Sequence, residues 1–415
     1  GLAGDAGDAV DAGPSEPAPP PPPPPAPPAG SVSWGPTAVS DPGRRADGIA
    51  TALGVGQAAI SWIEEADPGA DVWFTTVAGS GARKPVAVTR DASAYPPTAL
   101  EWSGKQFAIA WGDDRYRHVE IFVARVAWNG KIEDQPSRFT ETVPPKIKGM
   151  EMFLADSSQT PTLAYYGGQL IASWGGPGDT GPQQVYYATI TKGRDTGIDP
   201  VPLTSGMPEA VGMRLMSFEK GALLAYCVGS QGGQDLYRVL LTGTPPAAAQ
   251  PVKVATSSYV PCAIDHALAG EGSMIVWVDR VEDRGGQITD TLKGQLTGAS
   301  GEFVGKEIAF PGIRLVKFPG KSHLPFDALE VEPGKIAIAW INRGLDSAAS
   351  LMVGLFDVQG QPLGSPFTVP TKAEPTDPHL VGSGEPGGFL VVWLDRELGA
   401  KTTSVLVSGL AFKAP

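Results

Sequence analysis

Cysteines, histidines and long apolar runs are scarce in this 415-residue sequence, and each scarcity excludes a class of protein. Two cysteines are too few for a disulfide-built scaffold or a cysteine-rich zinc site. No apolar stretch reaches the roughly 18 residues that a membrane-spanning helix needs, so we expect no transmembrane segment. None of the four histidines has a metal-binding spacing, so we expect them to be polar residues of the surface or of a channel. They are His118, His266, His323 and His379.

Basic residues are also in the minority. The chain has 32 Lys and Arg against 44 Asp and Glu, a formal net charge of −12. Phosphate backbones and anionic membranes repel such a protein, so we expect no nucleic-acid partner. The sequence also lacks a Gly-x-Ser-x-Gly elbow, a phosphate-binding loop and a paired-carboxylate signature. We therefore predict no catalytic residue, no cofactor and no metal.

Glycine and proline, in contrast, are abundant, with 53 and 41 residues, while 42% of the chain is hydrophobic. This combination favours many short strands joined by turns. Residues 1 to 13 are small and acidic, and residues 14 to 30 include seven consecutive prolines. We expect 1–30 to be a disordered tether that the prolines stiffen into a polyproline II rod of about 3.1 Å per residue. A ligand for SH3-type or WW-type modules is the alternative reading of this segment.

From residue 31 to residue 415 the chain is a repeat whose marker is an apolar run that ends on an aromatic residue. The spacings between markers are 49, 63, 52, 51, 63 and 53 residues, which suits four short strands and their turns. The markers are Trp62, Trp111, Trp174, Tyr226, Trp277, Trp340 and Trp393. Seven units of four strands predict an all-β, seven-bladed β-propeller in which each marker anchors one blade.

The two ends of the repeat support a closed ring. The last unit stops after its third strand, "TTSVLVSGL", and the segment "SVSWGPTAV" at 31–39 has the pattern of an outer strand with no unit before it. Pairing these two fragments completes the seventh blade and removes a free sheet edge. We therefore predict that the N-terminal strand closes the ring.

An acid or amide and an arginine follow several markers, as in "FAIAWGDDR", "MIVWVDR" and "FLVVWLDR". This Trp-x-Asp-Arg pattern, on a period near fifty, resembles the repeat of secreted bacterial seven-bladed propellers, which are often lipoproteins and mostly lack an assigned activity. The resemblance implies the propeller fold and an extracytoplasmic place, secreted, periplasmic or surface-anchored. It implies no substrate. The boxes typical of WD40 and sialidase propellers are absent.

The recurrence of the acid and the arginine around the ring indicates a structural pair that fixes the loop after the marker. A catalytic arginine would occur once or in one local cluster. The alternative is a collar of arginines for an anionic ligand, which the neighbouring acids would largely neutralise.

Two long loops are the candidate binding site. They lie in the two 63-residue spacings, at 142–159 and 311–322, and connect blades on the face of the propeller that carries the loops after the markers, which we call the top face. Both are apolar and basic, so they offer contacts to a partner; the alternative is that they cover the core. Their candidate residues are Lys146, Lys148, Met150, Met152, Phe153, Arg314, Leu315, Lys317, Phe318 and Lys321.

Two further features are candidates. Trp102 and Trp128 precede turns of the second blade on the bottom face, where they either stack on a sugar or peptide or pack within the protein. Cys227 and Cys262 fall near the top of adjacent blades and form either a disulfide or two free thiols.

From these features we predict a monomeric, non-enzymatic binding or scaffolding protein that contacts a protein or glycan at the cell surface through its top face. The alternatives are a carbohydrate-binding lectin and a hydrolase or lyase with a central-channel site. Convergent carboxylates with strongly shifted pKa values in the channel would favour the enzyme.

Overall fold

A computed structural model describes this protein over most of its length. The described ranges are 28–66, 69–79, 81–115, 119–141, 160–178, 181–190, 200–205, 207, 210–230, 233–258, 262–282, 288–313, 315, 324–342, 348–385, 387–397 and 402–412. Every regular element in them is a β-strand. Within these ranges there is no helix with the length and apolar character required to cross a membrane. The expected tether falls outside the described residues, apart from Pro28, Ala29 and Gly30.

The strands form seven antiparallel sheets, which are the blades of the predicted propeller. Blade 7 includes the first strand, β1 (Gly30–Ala38). Blade 1 contains β2 (Ala46–Gly54), β3 (Gln57–Ala66), β4 (Gly69–Ala78), β5 (Gly81–Ala82) and β6 (Val86–Ala87). Blade 2 contains β7 (Ala94–Trp102), β8 (Phe107–Asp113), β9 (Glu120–Val126) and β10 (Ile132–Arg138). Blade 3 contains β11 (Thr162–Tyr166), β12 (Gln169–Gly178), β13 (Gly181–Ile190) and β14 (Val201–Pro202).

The remaining blades repeat this order. Blade 4 contains β15 (Ala210–Phe218), β16 (Gly221–Ser230), β17 (Gly233–Thr242), β18 (Ala247–Ala248) and β19 (Val252–Ser257). Blade 5 contains β20 (Ile264–Ala269), β21 (Gly272–Glu282), β22 (Ile288–Thr297) and β23 (Phe303–Ala309). Blade 6 contains β24 (Phe326–Glu332), β25 (Lys335–Asn342), β26 (Ser350–Asp357) and β27 (Phe367–Val369). Blade 7 contains β28 (Glu374–Gly382), β29 (Gly388–Arg396) and β30 (Thr403–Phe412) together with β1.

The ring closes as the sequence predicts. β1 pairs antiparallel with β30, with Val32 opposite Leu410 and Ala38 opposite Leu406. Beyond β1, the hydroxyl of Ser40 accepts a hydrogen bond from the backbone N–H of Val405 at 2.8 Å. The seventh blade is therefore built from both ends of the repeat, and β1 covers the edge that β30 would otherwise expose.

Each marker aromatic lies in the apolar cluster between two blades. Seven such clusters separate the seven blades, and each contains one marker. The second strand of each blade is covered by a neighbour on both sides, so the run that leads to the marker is mainly apolar; every residue of β8 is buried. The marker therefore packs between neighbouring sheets.

The acid that follows the marker fixes the connection into the same blade. Glu64 accepts a hydrogen bond from the backbone N–H of Asp41 at 3.0 Å, and Asp395 accepts one from Lys372 at 3.2 Å. Asp41 and Lys372 both precede the inner strand of the blade whose marker they serve. Burial raises the pKa of both carboxyls, and the hydrogen bonds lower it again in part. The acid thus satisfies backbone donors that the connection would otherwise bury without a partner.

The arginine of the repeat makes local pairs. Arg115 binds both oxygens of Asp113 at 2.8 and 2.6 Å. Arg280 instead binds Asp290 on the neighbouring strand of its own blade, at 2.7 and 2.8 Å. The predicted pair of marker acid and arginine therefore forms between Asp113 and Arg115. It does not form on blade 5, where Arg280 pairs with Asp290 and Asp279 pairs with Lys293 at 2.8 Å.

Candidate binding site in the central channel

The inner strands of the seven blades line a central channel, and their register defines one ring of equivalent positions. Each position pairs with the residue directly before the marker. In blade order these positions are Ala50, Ala99, Thr162, Arg214, Asp265, Asp327 and His379. Blades 1 to 3 therefore carry small residues, whereas blades 4 to 7 carry four ionisable ones, which we call the polar arc.

The polar arc borders a cavity of about 230 Å³. The first halves of the inner strands line it, so it lies towards the top face. Its opposite wall is formed by Ala50, Pro97, Ala99 and Pro161 with neighbouring leucines. The cavity thus has one charged side and one mainly apolar side, and its volume is below the 300–1,000 Å³ typical of sites for drug-sized ligands.

Charged side chains of the arc link one blade to the next. The Nε atom of Arg214 lies 3.8 Å from Oδ1 of Asp265. Asp265 accepts a hydrogen bond from the backbone N–H of Ala328 on blade 6 at 3.0 Å, and Asp327 accepts one from Leu380 on blade 7 at 2.6 Å. The two carboxyls therefore occupy successive blades in the same orientation.

The environment of Asp327 disfavours the charged form of its side chain. Burial raises the pKa of its carboxyl well above the usual range, and the nearby carboxylate of Asp265 raises it further. The hydrogen bond from Leu380 and the charge of Arg214 only partly oppose this. The arc therefore places two carboxyl groups side by side, and the raised pKa of Asp327 favours its protonated form, which can donate as well as accept a hydrogen bond.

Blade 7 adds a second pair at the same level. Nε2 of His379 lies 3.5 Å from Oδ1 of Asp377, whose side chain is 5% exposed. Asp377 has a φ of 52°, in the left-handed region, and lies in a β-bulge between Thr376 and His379. Non-glycine residues in this region occur often at functional sites, where the surrounding structure holds them.

His266 lies one position deeper than Asp265 in an otherwise non-ionisable ring. The equivalent residues on the other blades are Thr51, Leu100, Leu163, Leu215, Ala328 and Leu380. Its side chain is buried and its Nδ1 atom has no hydrogen-bond partner. Burial lowers the pKa of the imidazole to about 4, against the opposing charge of Asp265. His266 is therefore neutral at physiological pH.

Most of the residues predicted for the top-face loops fall outside the described residues, so that site stays a prediction. This holds for Lys146, Lys148, Met150, Met152, Phe153, Arg314, Lys317, Phe318 and Lys321, and also for His118 and His323. Leu315 is described: it is partly buried and packs on the cluster between blades 5 and 6. Its side chain thus contributes to covering the core.

The two tryptophans predicted for the bottom face have separate partners. Trp102 is partly buried, with its ring centroid 4.8 Å from that of Phe107. Trp128 is 40% exposed, and the guanidinium of Arg83 lies over its ring at 4.8 Å. A sugar-stacking role for the pair stays a prediction.

Cys227 and Cys262 form a disulfide between blades 4 and 5, with Cα atoms 6.2 Å apart. The bond lies beside the β-bulge between Val211 and Arg214 that precedes the arc. A side chain at Gly212 would meet the sulfur of Cys262, and Gly212 has a φ of +63°. The bridge and the bulge therefore fit together only with glycine at this position.

The polar arc was missed at the sequence level although it left a signal. In five of the seven units the ring position is twelve residues before the marker, as Arg214 is before Tyr226 and Asp265 before Trp277. The spacing is 13 for Asp327 and 14 for His379, because their hairpins are longer. Aligning the units on this position would have shown small residues in three blades and ionisable residues in four.

Within the described part of the chain, no cluster of His, Cys, Asp and Glu could hold a metal ion.

Comparisons with known proteins give the fold. No protein-family model matches the chain, and no curated protein matches it in sequence. Among solved structures, polysaccharide lyase Uly1 is 11% identical, with 92% of each chain covered and a TM-score of 0.55. The hemagglutinin-neuraminidase ectodomain of parainfluenza virus 5 is 9% identical over 92% of this chain and 83% of that one, with a TM-score of 0.52. The same viral protein with the ligand DANA is 10% identical over 93% and 95%, with a TM-score of 0.52. At this identity the likeness shows the fold alone.

Proposed function

We propose that this protein is an extracytoplasmic carbohydrate-binding propeller that holds one sugar residue in the cavity beside the polar arc. The observation that carries the proposal is the asymmetry of the ring. Ala50, Ala99 and Thr162 occupy the same positions on blades 1 to 3, so the fold does not need a charged residue there. Four ionisable residues on consecutive blades therefore serve a ligand.

The chemistry of the two walls fits a sugar. A pyranose has an edge of hydroxyl groups and an apolar face of C–H groups. The carboxyl groups of Asp265 and Asp327 and the guanidinium of Arg214 offer acceptors and donors to the hydroxyls. The apolar wall with Pro97 and Pro161 suits the C–H face.

The charge of the arc favours a neutral or basic sugar over an acidic one. Arg214 is already close to one carboxylate, and Asp377 adds another. An anionic sugar would have to displace Asp265 from Arg214 and approach Asp377, both of which are unfavourable. Two of the similar solved structures are named for carbohydrate chemistry, a polysaccharide lyase and a neuraminidase. The arc of this chain is an independent reason to propose a sugar.

The disulfide supports the place of action. Disulfides persist in oxidising compartments and are rare in the cytosol. The bond between Cys227 and Cys262 is therefore one reason to propose an extracytoplasmic protein. The tether at 1–30 and surface attachment remain part of this proposal.

Binding of monosaccharides, followed by saturation-transfer NMR and a glycan array, tests the proposal. Asp265→Asn keeps an oxygen for the N–H of Ala328 but removes the charge beside Arg214, so we expect affinity to fall at least about tenfold. Asp235→Asn is the matched control, because it removes an ion pair with Lys253 (2.9 Å) on the outer part of blade 4. Equal loss in both variants, or sugar binding unchanged by Asp265→Asn, would contradict the site.

Catalysis on the bound sugar is a second candidate function, favoured by the raised pKa of the Asp327 carboxyl. In a hydrolysis, Asp327 would donate a proton to the leaving glycosidic oxygen and recover one from the water that attacks the anomeric carbon. One water is consumed and one C–O bond is broken. Asp327→Asn, with a gain of reducing ends as the measurement, separates the two functions. If Asp327→Asn still binds the sugar but no longer releases reducing ends, catalysis is supported. If the unaltered protein releases no reducing ends, the function is binding only.

A further inference from the structure

Glu101 is the ionisable exception in a second ring of the channel. This lower ring lies two residues beyond the polar arc along each inner strand, about 7 Å deeper. Its other members are Ala52, Ala164, Met216, Ala267, Leu329 and Val381. Six blades thus place an apolar residue where blade 2 places Glu101, paired with Ala108.

The surroundings of Glu101 are apolar and aromatic. β7 packs on β11 of blade 3, whose side chains on this interface are Leu163 and Tyr165. Ala99, two residues before Glu101, belongs to the same cluster. Burial consequently raises the pKa of the Glu101 carboxyl to about 8, partly offset by a hydrogen bond from the backbone N–H of Trp102.

No cation lies beside Glu101 within the described chain, in contrast to three other recessed acids. Asp113 is bound by Arg115, Asp279 by Lys293 at 2.8 Å, and Asp265 lies beside Arg214. Lys105, in the turn that follows β7, is exposed to solvent and makes no ion pair with Glu101. Residue Glu101 is nevertheless partly exposed, so a molecule entering the lower end of the channel can reach it.

We infer that the lower end of the channel is a binding site for a primary ammonium group on an aliphatic stem, with Glu101 as its counter-ion. The ammonium ion supplies the charge that the carboxyl lacks, and the ring of Tyr165 at the same interface offers a cation–π contact. Ala52, Met216 and Leu329, which are the partly exposed apolar members of the lower ring, offer contacts to the stem. Glu101 does not line the upper cavity, so this site is independent of the sugar site.

Binding has a characteristic pH dependence. The other ionisable side chains at the lower end of the elements packed against β7 are those of Tyr165 and Tyr166. The acids of these elements lie at the opposite end of their strands; they are Asp47, Glu64, Glu65, Asp71 and Asp113. An ammonium ion needs the ionised carboxylate. Affinity therefore rises about tenfold between pH 6 and pH 7 and less than about twofold between pH 8 and pH 9. An alkylamine stays protonated to about pH 10, so its own titration does not interfere.

Titration calorimetry with n-butylammonium chloride at pH 9 tests the inference, with 1-butanol as the neutral probe. We expect saturable binding of n-butylammonium and none of 1-butanol. The affinity for n-butylammonium should fall at least about tenfold in Glu101→Gln. Glu332→Gln is the control, since Glu332 also ends an inner strand but is exposed and lies 2.8 Å from Lys335. Equal affinity in Glu101→Gln, or no saturable binding to the unaltered protein, overturns the inference.

A second measurement does not depend on the variant. n-Butylammonium should raise the melting temperature at pH 9 above that in equal NaCl, and should have no such effect at pH 5.5, where Glu101 is protonated. An equal rise at both pH values also overturns the inference. Comparing N-acetyl-lysine methylamide with cadaverine then tells a lysine side chain of a protein from a free diamine.

Discussion

Replacing His266 should change how the stability of the propeller depends on pH. The imidazole is buried in a ring whose other members carry no charge, and burial lowers its pKa from the ordinary 6.5 to about 4. A lowered histidine pKa means that the unfolded chain binds a proton more tightly than the folded one. Stability from this group is therefore present above pH 6.5 and is lost as pH falls towards 4.

The magnitude follows from the size of the shift. A difference of 2.5 pKa units, at about 1.4 kcal/mol per unit, corresponds to about 3 kcal/mol lost between pH 7.5 and pH 4. His266→Gln keeps a polar side chain but cannot titrate. The free energy of unfolding of the variant should therefore lack this component, whatever the carboxyls contribute in both proteins.

Urea unfolding of both proteins at pH 7.5, 6, 5 and 4 measures the difference. The difference in free energy of unfolding between the unaltered protein and His266→Gln should change by about 3 kcal/mol in favour of the variant as the pH falls from 7.5 to 4. A direct check is the NMR titration of the His266 ring, which should have its midpoint near pH 4. A gap that stays constant with pH, or a midpoint near 6.5, would refute the buried and neutral state assigned to His266.

Three further predictions concern the ring itself. Trp111→Ala empties the cluster between blades 1 and 2 and should cost about 3 to 5 kcal/mol in urea unfolding, whereas Trp128→Ala, at a 40% exposed position, should cost much less. Replacing both Cys227 and Cys262 by alanine releases a loop with a sequence separation of 35 and should cost about 4 kcal/mol, an effect that a reducing agent should reproduce in the unaltered protein. Removing residues 28–38 exposes the edge of β30, so the truncated chain should self-associate in analytical ultracentrifugation; a stable monomer with unchanged melting temperature would contradict the closure.

The architecture is visible in the sequence because it is repeated. One aromatic per unit, a period near fifty and an unpaired outer strand at 31–39 predict seven blades and the closure at β30, and the structure has both. Packing between neighbouring blades imposes the same apolar pattern on the second strand of every blade. The pattern therefore occurs seven times in the sequence. The same repetition identifies the marker acid as a structural residue.

The functional residues of the channel were harder to predict from the sequence, because they do not repeat from blade to blade. β-bulges before Ala50, Ala99, Arg214 and His379 shift the register by different amounts, so alternation along an inner strand does not say which residue reaches the ring. Glu101 and His266 are each the single ionisable residue of their ring. A search for repeated patterns does not detect a residue that occurs once, whereas the strand register shows which residues of the other blades are equivalent to it.

Strand β1 also determines which face of the propeller is turned towards an attachment point at the N-terminal segment. The chain enters the ring at Gly30, and β1 then runs towards the end of the sheet from which residues 39–45 lead into β2. Pro28 pairs with Ser365, next to the turn between the outer strands of blade 6. A propeller held by its N-terminal segment would therefore turn the lower opening, with Glu101, towards its attachment, and hold the cavity of Asp265 and Asp327 outward.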